Sequence, residues 1–234
     1  RGGNAPSGLT NVQTIFSNGY AFVCLITDGS VVAFGDTEYG GIAPSGLSNV
    51  LTIFSTSGAF ACLKTDRSVV AWGRSNYGGD APSELTNVQT IFSNGYAFAC
   101  LKADGSAVAW GRSTLGGIAP IELTNVQAIF STQYALACLK NDGSVIAWGD
   151  SRYGGNAPSG LTDVKIIYST RSAFTAVKFD GSVVSWGDSL YGGNAPIGLS
   201  NVQTIFTSER VFACLKTDGS IVVWGDVNYG GNAP

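Results

Sequence analysis

The residues of this chain that could do chemistry recur at one spacing. Cys24, Cys62, Cys100, Cys138 and Cys214 occupy the same position in successive 38-residue units, with Ala176 at the sixth, and the chain has no histidine. A nucleophilic thiolate or hydroxyl needs an adjacent base, and the usual one is missing. Equivalent positions in neighbouring units lie a whole structural unit apart, beyond the Cα separation of about 7 Å that a disulfide spans. The cysteines therefore read as small buried hydrophobes. Unpaired thiols lean toward a reducing compartment, cytoplasm or nucleus, and nothing else in the sequence speaks to location. Glycosidic hydrolysis needs two convergent carboxyl groups, but the acids outside one recurrent turn scatter among loop positions that change identity between units. No spacing suits a metal, and no glycine-rich loop leads into a helix as a phosphate cradle would. The reading is a non-enzymatic chain without cofactor or metal.

The elements that carry these residues are set by the unit itself. Each unit has two apolar runs around an acidic turn, as in Leu139 to Trp148 (LKNDGSVIAW). The turn acids are Asp28, Asp66, Asp104, Asp142, Asp180 and Asp218, and six residues beyond each stands Phe34, Trp72, Trp110, Trp148, Trp186 or Trp224. Asp-Gly between β-rich runs predicts a two-residue type I′ hairpin, whose central residues both need positive φ. Val88 to Ser93, Ala97 to Lys102 and Ser106 to Trp110 read as three strands, with a short fourth around Gly116 to Ala119 after a loop at Arg112 to Leu115. The second strand is apolar on both faces, Phe98 and Cys100 on one and Ala97, Ala99 and Leu101 on the other, so it needs a neighbour on each side. All seven prolines lie in the connecting element, as an edge or link requires.

Four short strands in about 40 residues, repeated with both faces buried, predict the blades of an all-β propeller. The six 38-residue repeats are read as one domain over residues 1–234, closed as six blades, with seven blades or a segment of a longer array as alternatives. A GGNAP element is duplicated at the two ends, and the absence of methionine reads as a chain trimmed or excised from a longer product. Thirteen basic and sixteen acidic residues, net charge −3, give no electrostatic footprint for nucleic acid or anionic lipid. No apolar run approaches 18 residues, so no membrane helix is expected.

The string Ala137-Cys-Leu-Lys-Asn-Asp-Gly-Ser-Val-Ile-Ala-Trp-Gly149, followed by Tyr153-Gly154-Gly155, resembles the repeat of the regulator of chromosome condensation superfamily. It looks closest to the short-repeat branch that includes β-lactamase inhibitory protein type II. The resemblance covers all six repeats and implies a β-propeller whose members bind proteins through loops on one face, a nuclear GTPase and nucleosomes in one case, an enzyme in the other. Many family repeats carry a histidine before the second strand and this chain carries none, so no functional residue is transferred from the family.

Function is then read from the differences between repeats. They concentrate in the loop after the first strand and the loop after the third, which leave a blade on the same side. The candidate binding residues there are Tyr20, Glu38, Arg74, Tyr96, Arg112, Tyr134, Arg152, Arg171, Glu209 and Arg210. Tyrosine and arginine favour interfaces, and copies that differ suit one protein epitope better than repeated sugar sites. The expectation is a protein partner, with a carbohydrate-binding propeller or a structural segment of a longer repeat protein as alternatives. The tryptophans, each followed by a glycine, read mainly as packing, and Tyr39, Tyr77, Tyr153, Tyr191 and Tyr229 either border the variable face or cover blade edges, with cover expected for most.

Overall fold

A computed structural model describes residues 3–83, 85–121 and 123–232. They form two compact units, Arg1–Leu123 and Thr124–Pro234. The first unit holds three antiparallel three-stranded sheets: β1 (Val12–Ser17), β2 (Ala21–Ile26) and β3 (Val31–Gly35); β4 (Val50–Ser55), β5 (Ala59–Lys64) and β6 (Val69–Gly73); β7 (Val88–Ser93), β8 (Ala97–Lys102) and β9 (Ala107–Gly111). The second holds three more: β10 (Val126–Ser131), β11 (Ala135–Lys140) and β12 (Val145–Gly149); β13 (Val164–Ser169), β14 (Ala173–Lys178) and β15 (Val183–Gly187); β16 (Val202–Thr207), β17 (Val211–Lys216) and β18 (Ile221–Gly225).

The middle strand of each interior sheet is buried on both faces, as its two-sided apolar pattern requires. All of Ala97 to Leu101 in β8 is buried. Within the first unit, Ala21, Val23 and Leu25 of β2 pack against Val50, Ile53, Phe60, Cys62 and Trp72 of the next sheet. Each aromatic of the middle strand stacks on the tryptophan opposite, with ring centroids 5.6 Å apart for Phe60 and Trp72 and 5.3 Å for Phe98 and Trp110. The indole N–H reaches one sheet further: Trp72 Nε1 donates to Gly40 O and Trp110 Nε1 to Gly78 O, both at 3.0 Å. The second unit repeats the device with Trp186 on Gly154 and Trp224 on Gly192. These indoles are buried with their N–H used, so they form packing layers and no platform for a sugar ring.

The hairpin turn differs from the expected type I′. Only the residue after the aspartate has positive φ: Gly29 at 79°, Arg67 at 65°, Gly105 at 76°. Lys64 N donates to Ser68 O and Arg67 N to Lys64 O, which is a three-residue loop ending in a left-handed bulge. The aspartate works through its side chain: Asp66 Oδ1 accepts from Ser68 N at 3.0 Å and from Ser68 Oγ at 2.6 Å. The bulge residue offers its carbonyl to the following sheet, Gly29 O to Val50 N and Arg67 O to Val88 N. That position needs a left-handed backbone and a carbonyl, and Arg67 supplies both.

The short fourth strand is also absent: a 3-10 turn, Ser113–Leu115, ends at Gly116 with φ 106°, and a Cβ on Gly117 would overlap the backbone of Gly111. The chain is turned back on itself there, and Pro120 has no N–H to extend a ladder.

The Ser68 hydroxyl beside Asp66 holds its carboxyl down at about 2, and the same serine contact lowers Asp28, Asp104, Asp142, Asp180 and Asp218. A carboxyl depressed by folding contributes stability above its unfolded value, about 3.9, and loses it as pH falls toward the folded value. The melting temperature should therefore fall as pH drops from about 4 to 2; a profile that rises over that window would contradict the turn as described.

All five cysteines are free and buried. Burial pushes the thiols of Cys62, Cys100 and Cys138 up to about 11. At pH 8 they are protonated and enclosed, so a disulfide reagent should leave these three untouched in the native protein and modify them on unfolding.

Candidate functional site

In the first five sheets the two variable loops meet on one side, tied by a side chain at the start of the first loop. Asn18 Nδ2 donates to Tyr39 O at 2.7 Å, Thr56 Oγ1 to Tyr77 O at 2.8 Å and Asn94 Nδ2 to Leu115 O at 2.7 Å. In the second unit Thr132 and Thr170 bond Tyr153 O and Tyr191 O. The alternation of Asn and Thr in this loop is therefore not free variation: both residues deliver one donor to the same carbonyl.

The second loop begins with a 3-10 turn, and here the sheets differ in a way that matters. Asp36, Asp150, Asp188 and Asp226 precede the turn, and each Oδ1 accepts from the N–H two residues on. In the second and third sheets this residue is Arg74 or Arg112, and the turn has no side-chain cap. Giving up a cap costs about 0.5–2 kcal/mol.

What stands there instead is a chain of rings and guanidinium groups within the first unit. Tyr20 stacks on Tyr39 with centroids 4.1 Å apart. Arg74 Nη1 donates to Tyr39 Oη at 2.6 Å, its guanidinium 4.9 Å from the Tyr39 centroid and 5.9 Å from that of Tyr77. Tyr77 packs on Tyr96 at 5.1 Å, and Arg112 lies 5.8 Å from the Tyr96 centroid. Thr37, Glu38, Arg74, Ser75 and Asn76 line an open recess beside this chain. Among the described residues neither Arg74 nor Arg112 forms an ion pair.

The second unit holds arginines at the loop face too, but each meets a carboxylate. Arg152 Nη2 is 2.7 Å from Asp150 Oδ2, Arg171 Nη1 is 2.8 Å from Glu209 Oε1, and Arg210 Nη1 is 3.2 Å from Asp226 Oδ2. Arg171 Nε also donates to Gln133 Oε1. Arg152 lies 5.3 Å from the ring of Tyr153, which packs on Tyr134 at 4.6 Å, and Arg210 sits 5.2 Å and 4.3 Å from the rings of Tyr191 and Tyr229. The hydrogen bond from Arg152 holds the Asp150 carboxyl below its usual range. Of the ten candidate residues, Tyr20, Glu38, Arg74, Tyr96 and Arg112 thus gather on the first unit, and Tyr134, Arg152, Arg171, Glu209 and Arg210 on the second.

From the sequence, Tyr39 and Tyr77 either border the variable face or cover blade edges, with cover the expectation for most tyrosines at this position. They are half-buried, but they also bridge Tyr20 to Arg74 and Arg74 to Tyr96. The signal available was Arg at a position that is Asp in four of six repeats, 35 residues from one tyrosine and three from another.

No protein-family model matches the chain, and no curated protein matches it in sequence. Among solved structures it is similar to the entire ectodomain of the Physcomitrella patens receptor kinase CR4, with 19% identity and TM-score 0.58 over 93% of this chain and 64% of that one. It is similar to yeast RCC1 (Prp20) bound to Kap60, with 14% identity and TM-score 0.55 over 92% and 70%. A third is the CRINKLY WD40 ectodomain of the Arabidopsis thaliana receptor kinase ACR4, with 17% identity and TM-score 0.54 over 94% and 83%. The chain thus spans less than two thirds of the length of the moss ectodomain. What these likenesses show is the fold alone, a repeat propeller as in yeast RCC1 (Prp20), the six three-stranded sheets of the chain matching six blades.

Proposed function

We propose that this chain is a non-enzymatic protein-binding module, and that its partner docks on the loop face of the first unit at Arg74 and Arg112. The observation that carries the reading is the exchange of a capping aspartate for arginine in two successive sheets. Local stability is given up, and the two guanidinium groups are held on tyrosine rings without an ion pair among the described residues. Arginine pre-positioned on aromatic rings loses little side-chain freedom on binding and can pair with a planar carboxylate from outside. Tyr20, Tyr39, Tyr77 and Tyr96 supply the surrounding amphipathic area typical of energetic centres in interfaces. The fold supports the class of function: solved structures of similar fold include RCC1 bound to Kap60 and Prp20p, described with its binding to Gsp1p and histones.

The test is capture from the native extract with the wild-type chain, an Arg74→Ala/Arg112→Ala variant and an Arg152→Ala variant. A stoichiometric protein retained by the wild type and Arg152→Ala, and lost with the double variant, is the expected result. Equal retention by all three would remove the first-unit face as the binding surface.

A further inference from the structure

The fifth sheet, β13 to β15, departs from all the others at five positions of the repeat that come together in space. Lys165 stands where the others have Gln or Leu51, Ile166 where they have Thr or Ala128, and Tyr168 where all have Phe. Val177 stands where all have Leu, and Phe179 where they have Thr, Asn141 or Ala103. These residues line one recess of about 210 Å³ between the fifth sheet and the sixth, beside the Asp180 turn and within the second unit.

The departures act in one direction. Val177 is a methylene shorter than leucine, which leaves space in a lining of Ile166, Val177 and Val202. The bond that ties the sixth sheet to this turn, from Val202 N to Gly181 O, is 3.3 Å long, against 3.0 Å for the same bond from Val50, Val88 and Val164. Phe179 also lines the recess and is 72% exposed, an aromatic that the other turns do without. Lys165 is the extra residue of a β-bulge: Val164 pairs with Lys178 and Ile166 with Val177, so the two lysines fall side by side.

The polar groups of the recess are uncommitted. Lys64, Lys102 and Lys216 each lie within 4.0 Å of the aspartate two residues on. Among the described residues Lys178 and Lys165 form no ion pair. Asp180 Oδ1 accepts from both the N–H and the hydroxyl of Ser182, and Asp163 Oδ2 accepts from the Thr162 hydroxyl. The Tyr168 hydroxyl bonds none of the described residues.

We propose that this recess binds a small organic anion, its apolar body seated on Ile166, Val177, Val202 and Phe179 and its carboxylate held between Lys165 and Lys178. An apolar cavity with a few convergent polar groups is the usual form of a small-molecule site. The volume lies below the roughly 300 Å³ at which sites for drug-sized ligands begin, which limits the body to a single ring or a short branched chain. Lysine ammonium groups are compact charges that pair with a carboxylate from several approaches, and two of them disfavour a cation.

Benzoate is the probe, with acetate and benzyl alcohol presenting its charge and its ring alone. Titrated into the isotope-labelled chain, benzoate should shift the amide resonances of Lys165, Lys178, Phe179 and Gln203 saturably, and each of the other two should bind at least about tenfold more weakly. Lys165→Gln and Val177→Leu install residues that other repeats carry at these positions, so the sheet keeps its fold. Each should weaken benzoate roughly tenfold, the first by removing a charge-assisted bond and the second by filling the space. Arg152→Ala, in the variable loop of another sheet, should leave the affinity unchanged. The absence of saturable shifts, or shifts centred on other residues, overturns the inference. So does affinity that acetate matches or that neither substitution at 165 or 177 changes, because the lysines would then be only a solvated strand end.

Discussion

Phe98→Ala is expected to lower stability by about 3–5 kcal/mol, the range for deleting a fully buried aromatic side chain that neighbours cannot replace. The ring is 0% exposed. One face stacks on Trp110 and one edge fills the space over Gly78, so its removal leaves a cavity between two sheets and loosens the Trp110 bond to Gly78 O. Phe22→Ala removes the same atoms at the same point of the repeat, but from a ring that is 40% exposed. Its cost should stay below about 1.5 kcal/mol at low protein concentration. Urea unfolding of both variants measures the difference. Equal losses would mean that Phe22 is as enclosed in solution as Phe98.

The strands were legible because their chemistry is local and repeated six times over: β7 and β8 fall at Val88–Ser93 and Ala97–Lys102 as the β-branched and aromatic runs predict, and the two-faced burial of β8 follows from its apolar neighbours in sequence. The turn was misread because Asp-Gly suits two hairpin types. What decides between them is the bond from Lys64 N to Ser68 O and the carbonyl that Arg67 offers to Val88, and the second of these depends on the adjacent sheet. The missing fourth strand has the same origin. The sequence reading puts Gly116 and Gly117 in a short strand, whereas Gly116 closes a turn and Gly117 lies backbone against backbone on Gly111. Of the candidate site, the side of the sheet was legible from alternation of the connections, and the grouping of residues was not. Tyr39 and Arg74 are 35 residues apart in sequence and 2.6 Å apart between Oη and Nη1, a contact set by the stacking of sheets.

Arg74→Asp/Arg112→Asp should separate folding from binding, on the reading that these arginines hold the partner. Aspartate at 74 and 112 restores the side-chain cap that Asp36, Asp150, Asp188 and Asp226 provide, accepting from the N–H groups of Asn76 and Thr114. A bond of this kind is worth about 0.5–1.5 kcal/mol net. At residue 74 the gain is offset by loss of the contact with Tyr39 and Tyr77, worth about 0.5–1 kcal/mol for a partly exposed cation over a ring. Arg112 is exposed and further from its ring, at 5.8 Å, so the gain there is larger. The double variant should therefore be as stable as the wild type or more so, while partner affinity falls roughly 100-fold, because two charges at the centre of the interface change sign. Thermal unfolding and titration calorimetry with the captured partner read the two effects separately. A variant that loses stability and affinity together would show that Arg74 and Arg112 serve the fold; one that gains stability and keeps its affinity would place the partner elsewhere. The predicted combination, a stabler chain that no longer binds, is the signature of a scaffold position surrendered to recognition.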